Sequence, residues 1–193
     1  MTAPKHDMKK TGEFTNILVI GMGNVLMQDE GIGVRAVEEL DCRYELPAHV
    51  RVVDGGTTGM ELFEPMRLAD CLIVADAVNF DRPPGSLVRI ADQEINAFFQ
   101  TKISNHQLGL SDLLALLTIK NERPERLVII GMVPYGLENR LGLSQPVAAG
   151  LDAMVEMLVQ ELSRAGVTAL KRDSVRVGQW RHQADLEEQA ACA

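Results

Sequence analysis

"CLIVADAVNFDRPPGSLVRIA", residues 71–91, holds two strand-like runs that lie unusually close together. The first, "CLIVAD" at 71–76, is almost continuously apolar up to its terminal aspartate, which is how a parallel strand buried on both faces reads. The second, "SLVRIA" at 86–91, follows after only the nine residues "AVNFDRPPG". A helical crossover between parallel strands needs roughly a dozen residues or more. The second run is therefore expected to lie antiparallel, at an edge of whatever sheet the first belongs to.

Three further β-rich runs frame this pair: "NILVIG" at 16–21, "VRVVD" at 50–54 and "RLVIIGMV" at 126–133. Helical patterns alternate with them. "GVRAVEELDCRY" follows the first run, "TTGMELFEPMRLA" the second and "SNHQLGLSDLLALLTIK" the antiparallel one. "SQPVAAGLDAMVEMLVQELSRAG" follows the last, with Val147, Leu151, Met154, Val155, Leu158 and Leu162 on one stripe at helical spacing. Ser144 is the expected N-cap of that helix, with Pro146 tolerated in its first turn. The fold class is an α/β three-layer α/β/α sandwich: a five-stranded, mostly parallel sheet with right-handed crossovers and one antiparallel edge strand.

The chain of 193 residues, 46% of them hydrophobic, suffices for one domain with a real core. The expected division is a single domain, 1–193. Its core spans about 16–166, and a polar segment 1–15 and a tail of about 168–193 are peripheral. A net charge of −8 argues against nucleic acid as the main partner. The basic start is followed by no apolar stretch of signal-peptide kind, and "CLIVA" and "LVIIGMV" are too short to span a bilayer, so membrane insertion is not expected. Cys42, Cys71 and Cys192 are odd in number and show no C-x-x-C spacing. Burial of Cys42 and Cys71 and a reducing cytoplasmic location fit best.

Ligands of open α/β sheets collect outside the carboxyl ends of the parallel strands. Past the first strand comes "GMGNVLMQDEGIGV". Its Gly21 and Gly23 begin a dinucleotide fingerprint, but the third glycine position holds Leu26, and no P-loop lysine is present. The same loop carries Asp29 and Glu30 ahead of a helix, where an acidic residue either stabilises the helix start or reaches a ligand. Gly31 and Gly33 around it would permit close backbone approach. Asp76 ends the most apolar strand and serves either a turn or a ligand. Asp54 opens "DGGTTG", good turn chemistry that could also present a carboxylate. Ser104-Asn105-His106-Gln107 has the form of a capping box, which puts His106 in the first turn of a helix, where the dipole favours a neutral, metal-binding ring. Two carboxylates and one imidazole at one rim make a ligand set for a divalent transition metal, with positions left open. No H-E-x-x-H or G-x-S-x-G is present.

The segments "ILVIGMGNVLMQDEGIGVRAVEEL", "VDGGTTGMEL", "LIVADAV", "KISNHQLGLSDLLALL" and "GMVPYGLENRLGLSQPV" resemble, in order, the hydrogenase maturation protease family. The "SNHQ" form is most similar to members serving uptake-type hydrogenases. The resemblance implies an endopeptidase that removes a C-terminal extension from the precursor of a nickel–iron hydrogenase large subunit. It implies that Glu30, Asp76 and His106 form the metal site, and that the metal is nickel carried by the substrate, other divalent metals being able to substitute. Some members are classed as aspartic proteases, which singles out Asp54 as the carboxylate to activate water. A nickel-binding accessory protein that checks metal without cutting would use the same three ligands. A nucleotide-binding protein using "GMGN" is the other rival, against which the missing third glycine counts.

Overall fold

Strand β1 (Ile17–Met22) is buried along its whole length, because it runs down the middle of a sheet covered on both faces. The computed structural model describes residues 14–92, 94, 95, 109–183 and 186. After β1 come helix α1 (Ile32–Arg43), the short strand β2 (Tyr44–Glu45) and β3 (Val50–Gly56). Helix α2 (Phe63–Leu68), β4 (Cys71–Ala77) and β5 (Leu87–Ala91) follow. Helix α3 (Leu110–Ile119), β6 (Arg126–Met132), α4 (Gln145–Arg164) and β7 (Leu170–Lys171) come next, and 3-10 turns at Gln28–Gly31 and Met60–Leu62 precede α1 and α2.

The main sheet has the order β3-β1-β4-β6-β5. Its first four strands are mutually parallel, and β5 pairs antiparallel with β6 at the edge. The three continuously apolar runs are thus the three central strands, and the nine-residue link does place its strand antiparallel at an edge. Because strand side chains alternate between faces, the core divides in two. Ile17, Val19, Ile73, Ala75, Val128 and Ile130 pack under α1 and α4, where Val37, Leu40, Met154 and Leu158 meet them. Leu18, Ile20, Leu72, Val74 and Ile129 pack on the opposite side against Met66 of α2 and Leu113 and Leu117 of α3.

Two features of the glycine-rich first loop come from packing. A Cβ on Gly33 would lie 2.2 Å from the Ala75 carbonyl oxygen and 2.3 Å from that of Met22. A Cβ on Gly21 would lie 2.3 Å from the Gly33 carbonyl oxygen. These glycines let the start of α1 sit directly on the ends of β1 and β4.

The expected helix start at Ser104 is corrected. Helix α3 begins at Leu110 with Gly109 as its N-cap, and the Asp112 carboxylate accepts the Gly109 N–H at 2.9 Å. An acidic residue at the third position caps the chain from inside, so the cap needs no side chain of its own. Ser104 to Gln107, His106 included, lie outside the described residues.

Beyond α4 the chain turns at Gly166, φ +85°, and β7 pairs antiparallel with β2. It then runs back along α1 as a strap. The Arg172 N–H donates to the Arg43 carbonyl at 2.9 Å and the Arg176 N–H to the Cys42 carbonyl at 3.1 Å. Cys42 and Cys71 are buried and free, and burial pushes the Cys71 thiol up to about 11, which keeps it protonated and inert. Among the described residues no helix is long and apolar enough to cross a membrane.

Candidate functional site

The parallel strands end together at one rim, and three of the sequence-identified residues lie there. Asp54, near the end of β3, is paired in register with Gly21, and on the other side of β1 the partner of Gly21 is Ala75. Asp76 is the next residue of β4, opposite Gly131 of β6. Glu30 lies in a 3-10 turn (Gln28–Gly31) between β1 and α1. The contact of Gly33 with the Ala75 carbonyl holds that turn close to the end of β4. Among the described residues no three His, Cys, Asp or Glu side chains are grouped so as to hold a metal.

Adjacent Asp29 and Glu30 have opposite fates. Asp29 is fully buried. Its Oδ2 accepts the Tyr135 N–H at 2.9 Å, the Gly136 N–H at 3.0 Å and the Ser144 hydroxyl at 2.7 Å. Its Oδ1 accepts the Ser144 N–H at 2.7 Å. Ser144 is the N-cap of the 20-residue helix α4, so the carboxylate sits where unpaired N–H groups and the helix dipole favour negative charge. The cap position was legible in sequence, but the Ser144 hydroxyl is spent on Asp29 instead of on its own helix. Asp29 thereby ties the β1–α1 loop to the β6–α4 loop. Glu30 remains half-buried, and burial raises its carboxyl above the ordinary value. A carboxylate in that condition gains from a nearby cation.

Asp54 is exposed, yet both its oxygens are engaged. Oδ1 accepts the Gly56 N–H at 2.9 Å, closing a local turn at a residue with φ +48°. Oδ2 accepts the indole Nε1–H of Trp180, from the strap, at 3.2 Å. Strand alternation separates the two aspartates. Asp54 continues the side of Val50 and Val52, towards α1, whereas Asp76 continues the side of Leu72 and Val74, towards α3. A small cleft opens beside this rim, lined by Gln28, Arg35, Leu143 and Trp180 among others. Asp29 and Trp180 are the residues sequence reasoning did not assign. Burial of the first was hidden by its acidic neighbour, and the second gave no local signal at all.

A protein-family model described as hydrogenase maturation protease matches residues 34–161. The hydrogenase 2 maturation protease of Escherichia coli (strain K12) is 44% identical over 160 residues, 82% of this chain and 98% of that protein. The hydrogenase expression/formation protein HoxM of Azotobacter vinelandii is 44% identical over 160 residues, 82% of this chain and 77% of its own length. Among solved structures, the E. coli hydrogenase maturating endopeptidase HybD superposes with a TM-score of 0.77 at 45% identity, covering 81% of this chain and 98% of its own.

Proposed function

This chain belongs to the hydrogenase maturation protease family, and from that premise we propose that it is an endopeptidase acting on the precursor of a nickel–iron hydrogenase large subunit. It removes the C-terminal extension once nickel is in place, in the cytoplasm. The substrate's nickel is read by Glu30, Asp76 and His106. The observation that carries this reading is the gathering of Glu30, Asp54 and Asp76 at the carboxyl rim of the parallel strands, in a chain so similar to a hydrogenase 2 maturation protease. Two carboxylates and an imidazole suit a borderline metal and leave it open to its own substrate ligands. The desolvated Glu30 adds the reason a cation would be welcome there.

Cleavage needs a water activated against a scissile carbonyl. Asp54 is the carboxylate proposed for that role, as in an aspartic-type mechanism: it takes the proton as the water attacks, and the proton then passes to the departing amine. Free buried thiols at Cys42 and Cys71 fit a reducing compartment.

The test incubates the purified protein with nickel-loaded large-subunit precursor and with metal-free precursor, and follows the large-subunit mass. Shortening of the nickel-loaded form alone is expected. Stable capture of the nickel-loaded precursor with no shortening would instead make the chain a metal-checking accessory protein.

A further inference from the structure

The strap's path is specific, and it ends on Asp54. Its anchors step back along α1 from the carbonyls of Arg43 and Cys42 to Glu38 and Arg35. Glu38 accepts the Trp180 N–H through one oxygen at 2.8 Å and the Arg181 N–H through the other at 3.2 Å. Arg35 donates to the Trp180 carbonyl at 3.1 Å. At Gly178 a Cβ would stand 2.3 Å from the Glu38 carboxyl carbon, so a side chain there would displace the carboxylate that holds the Trp180 and Arg181 N–H groups. The backbone on either side of the indole is thereby held, and the indole N–H meets Asp54 Oδ2. The family match stops at residue 161, before the strap begins.

We infer that Trp180 is a positioning residue for the Asp54 carboxylate, carried to it by the strap from Leu170 to Gln183. The inference rests on the reading of Asp54 as the water-activating group. An exposed aspartate at a strand end is free to rotate unless both its oxygens are held. Here the Gly56 N–H fixes one and the indole fixes the other. A carboxylate oxygen has two lone pairs, so each retains acceptor capacity for a water hydrogen. The contact therefore orients Asp54 without blocking it. A lid, by contrast, would have to leave before substrate could bind.

Trp180 is the sole tryptophan, so its fluorescence reports the contact independently of catalysis. Trp180→Phe keeps the ring and removes the donor. On nickel-loaded precursor its kcat should fall about fivefold, the rate equivalent of a hydrogen bond worth ~1 kcal/mol, with KM unchanged. Gly178→Ala should push the Glu38 carboxylate off the Trp180 and Arg181 N–H groups without touching the indole, giving the same loss in kcat and a red-shifted emission. Asp54→Asn, which keeps the Gly56 bond but turns an NH2 towards the indole, should shift the emission too. Wild-type or faster turnover by Trp180→Phe, or an unchanged emission in Asp54→Asn, overturns the positioning role; faster turnover would mark the strap as a lid. If Asp54→Asn itself cleaves at the wild-type rate, the Asp54 reading fails. If Asp54→Asn is inactive while Trp180→Phe is normal, only the inference about Trp180 fails.

Discussion

Asp29→Asn tests how much of the rim rests on one buried carboxylate. Asparagine keeps the size and shape of aspartate but replaces an acceptor oxygen with an NH2 group. Oδ2 serves three donors and Oδ1 serves one, so the less costly orientation places the NH2 at Oδ1. It would there face the Ser144 N–H, 2.7 Å away, donor against donor. One hydrogen bond to a charged acceptor is lost, worth ~1.5–3 kcal/mol, and a buried N–H is left unpaired at ~1–3 kcal/mol. The three remaining bonds also weaken as the acceptor loses its charge. The expected loss is about 3–4 kcal/mol, a large share of the ~5–15 kcal/mol that holds a typical domain together. Urea unfolding should show a lower midpoint at constant slope. The neighbouring Glu30→Gln should leave stability within about 1 kcal/mol or raise it slightly at neutral pH, since burial already disfavours the charged form. A loss below ~1 kcal/mol for Asp29→Asn would refute the view that this carboxylate ties the two loops together.

Two further outcomes follow from other residues. If His106 reads the substrate's nickel, both His106→Ala and His106→Gln should abolish processing of nickel-loaded precursor, because an amide is a poor nickel ligand. Melting should meanwhile show stability within about 0.5 kcal/mol of wild type, and a folded, fully active His106→Ala protein would show that the role belongs to another residue. Glu161 is buried among Arg89, Arg126 and Arg164. Burial alone would raise its carboxyl, but the hydrogen bonds and charges of Arg89 and Arg164 bring it below the ordinary 4.5. A depressed carboxyl stabilises the fold fully above its unfolded pKa and loses that contribution as pH falls through the folded one. Glu161→Gln should thus cost ~1.5–3 kcal/mol at pH 7, the worth of a hydrogen bond to a charged group and less than the ~3–5 kcal/mol of a broken buried pair, because the arginines reach water. The gap from wild type should close as pH drops below 4.5; a gap constant with pH in acid denaturation would contradict this.

The sheet was legible because its signals are local and repeated. Continuous apolarity marked β1, β4 and β6 as central, and nine residues were too few for a crossover before β5. The start of α3 was misplaced because Ser104 and Gln107 offer a familiar pair of side chains, whereas Gly109 caps through Asp112 alone. The strap left no trace in the sequence for a related reason. It is held by backbone N–H groups donating to Glu38 and to carbonyls of α1, and a main-chain donor looks the same whatever residue supplies it. The doublet at 29 and 30 showed acid at the rim but could not say which member turns inward. That is decided by a 3-10 turn entered through Gln28 at φ +48° and by donors more than a hundred residues away.

The glycines of "GMGN" and "GIGV" show how one requirement can have two sources. A dinucleotide fold uses glycine there so that a phosphate can approach the backbone. In this chain the approaching group is helix α1 itself, whose Gly33 rests on the carbonyls of Met22 and Ala75. That packing brings the Glu30 turn against β4, the strand that carries Asp76 near its end, whereas Asp54 stands on the β3 side of β1 and faces α1. With neighbouring strands ~4.8 Å apart, residues of β3 and β4 lie ~10 Å from each other across β1. If nickel is read through Glu30 and Asp76 and water is activated by Asp54, the two tasks cannot share one point. On that reading the substrate lies across the end of β1, its metal on the β4 side and its scissile bond on the β3 side, towards Asp54.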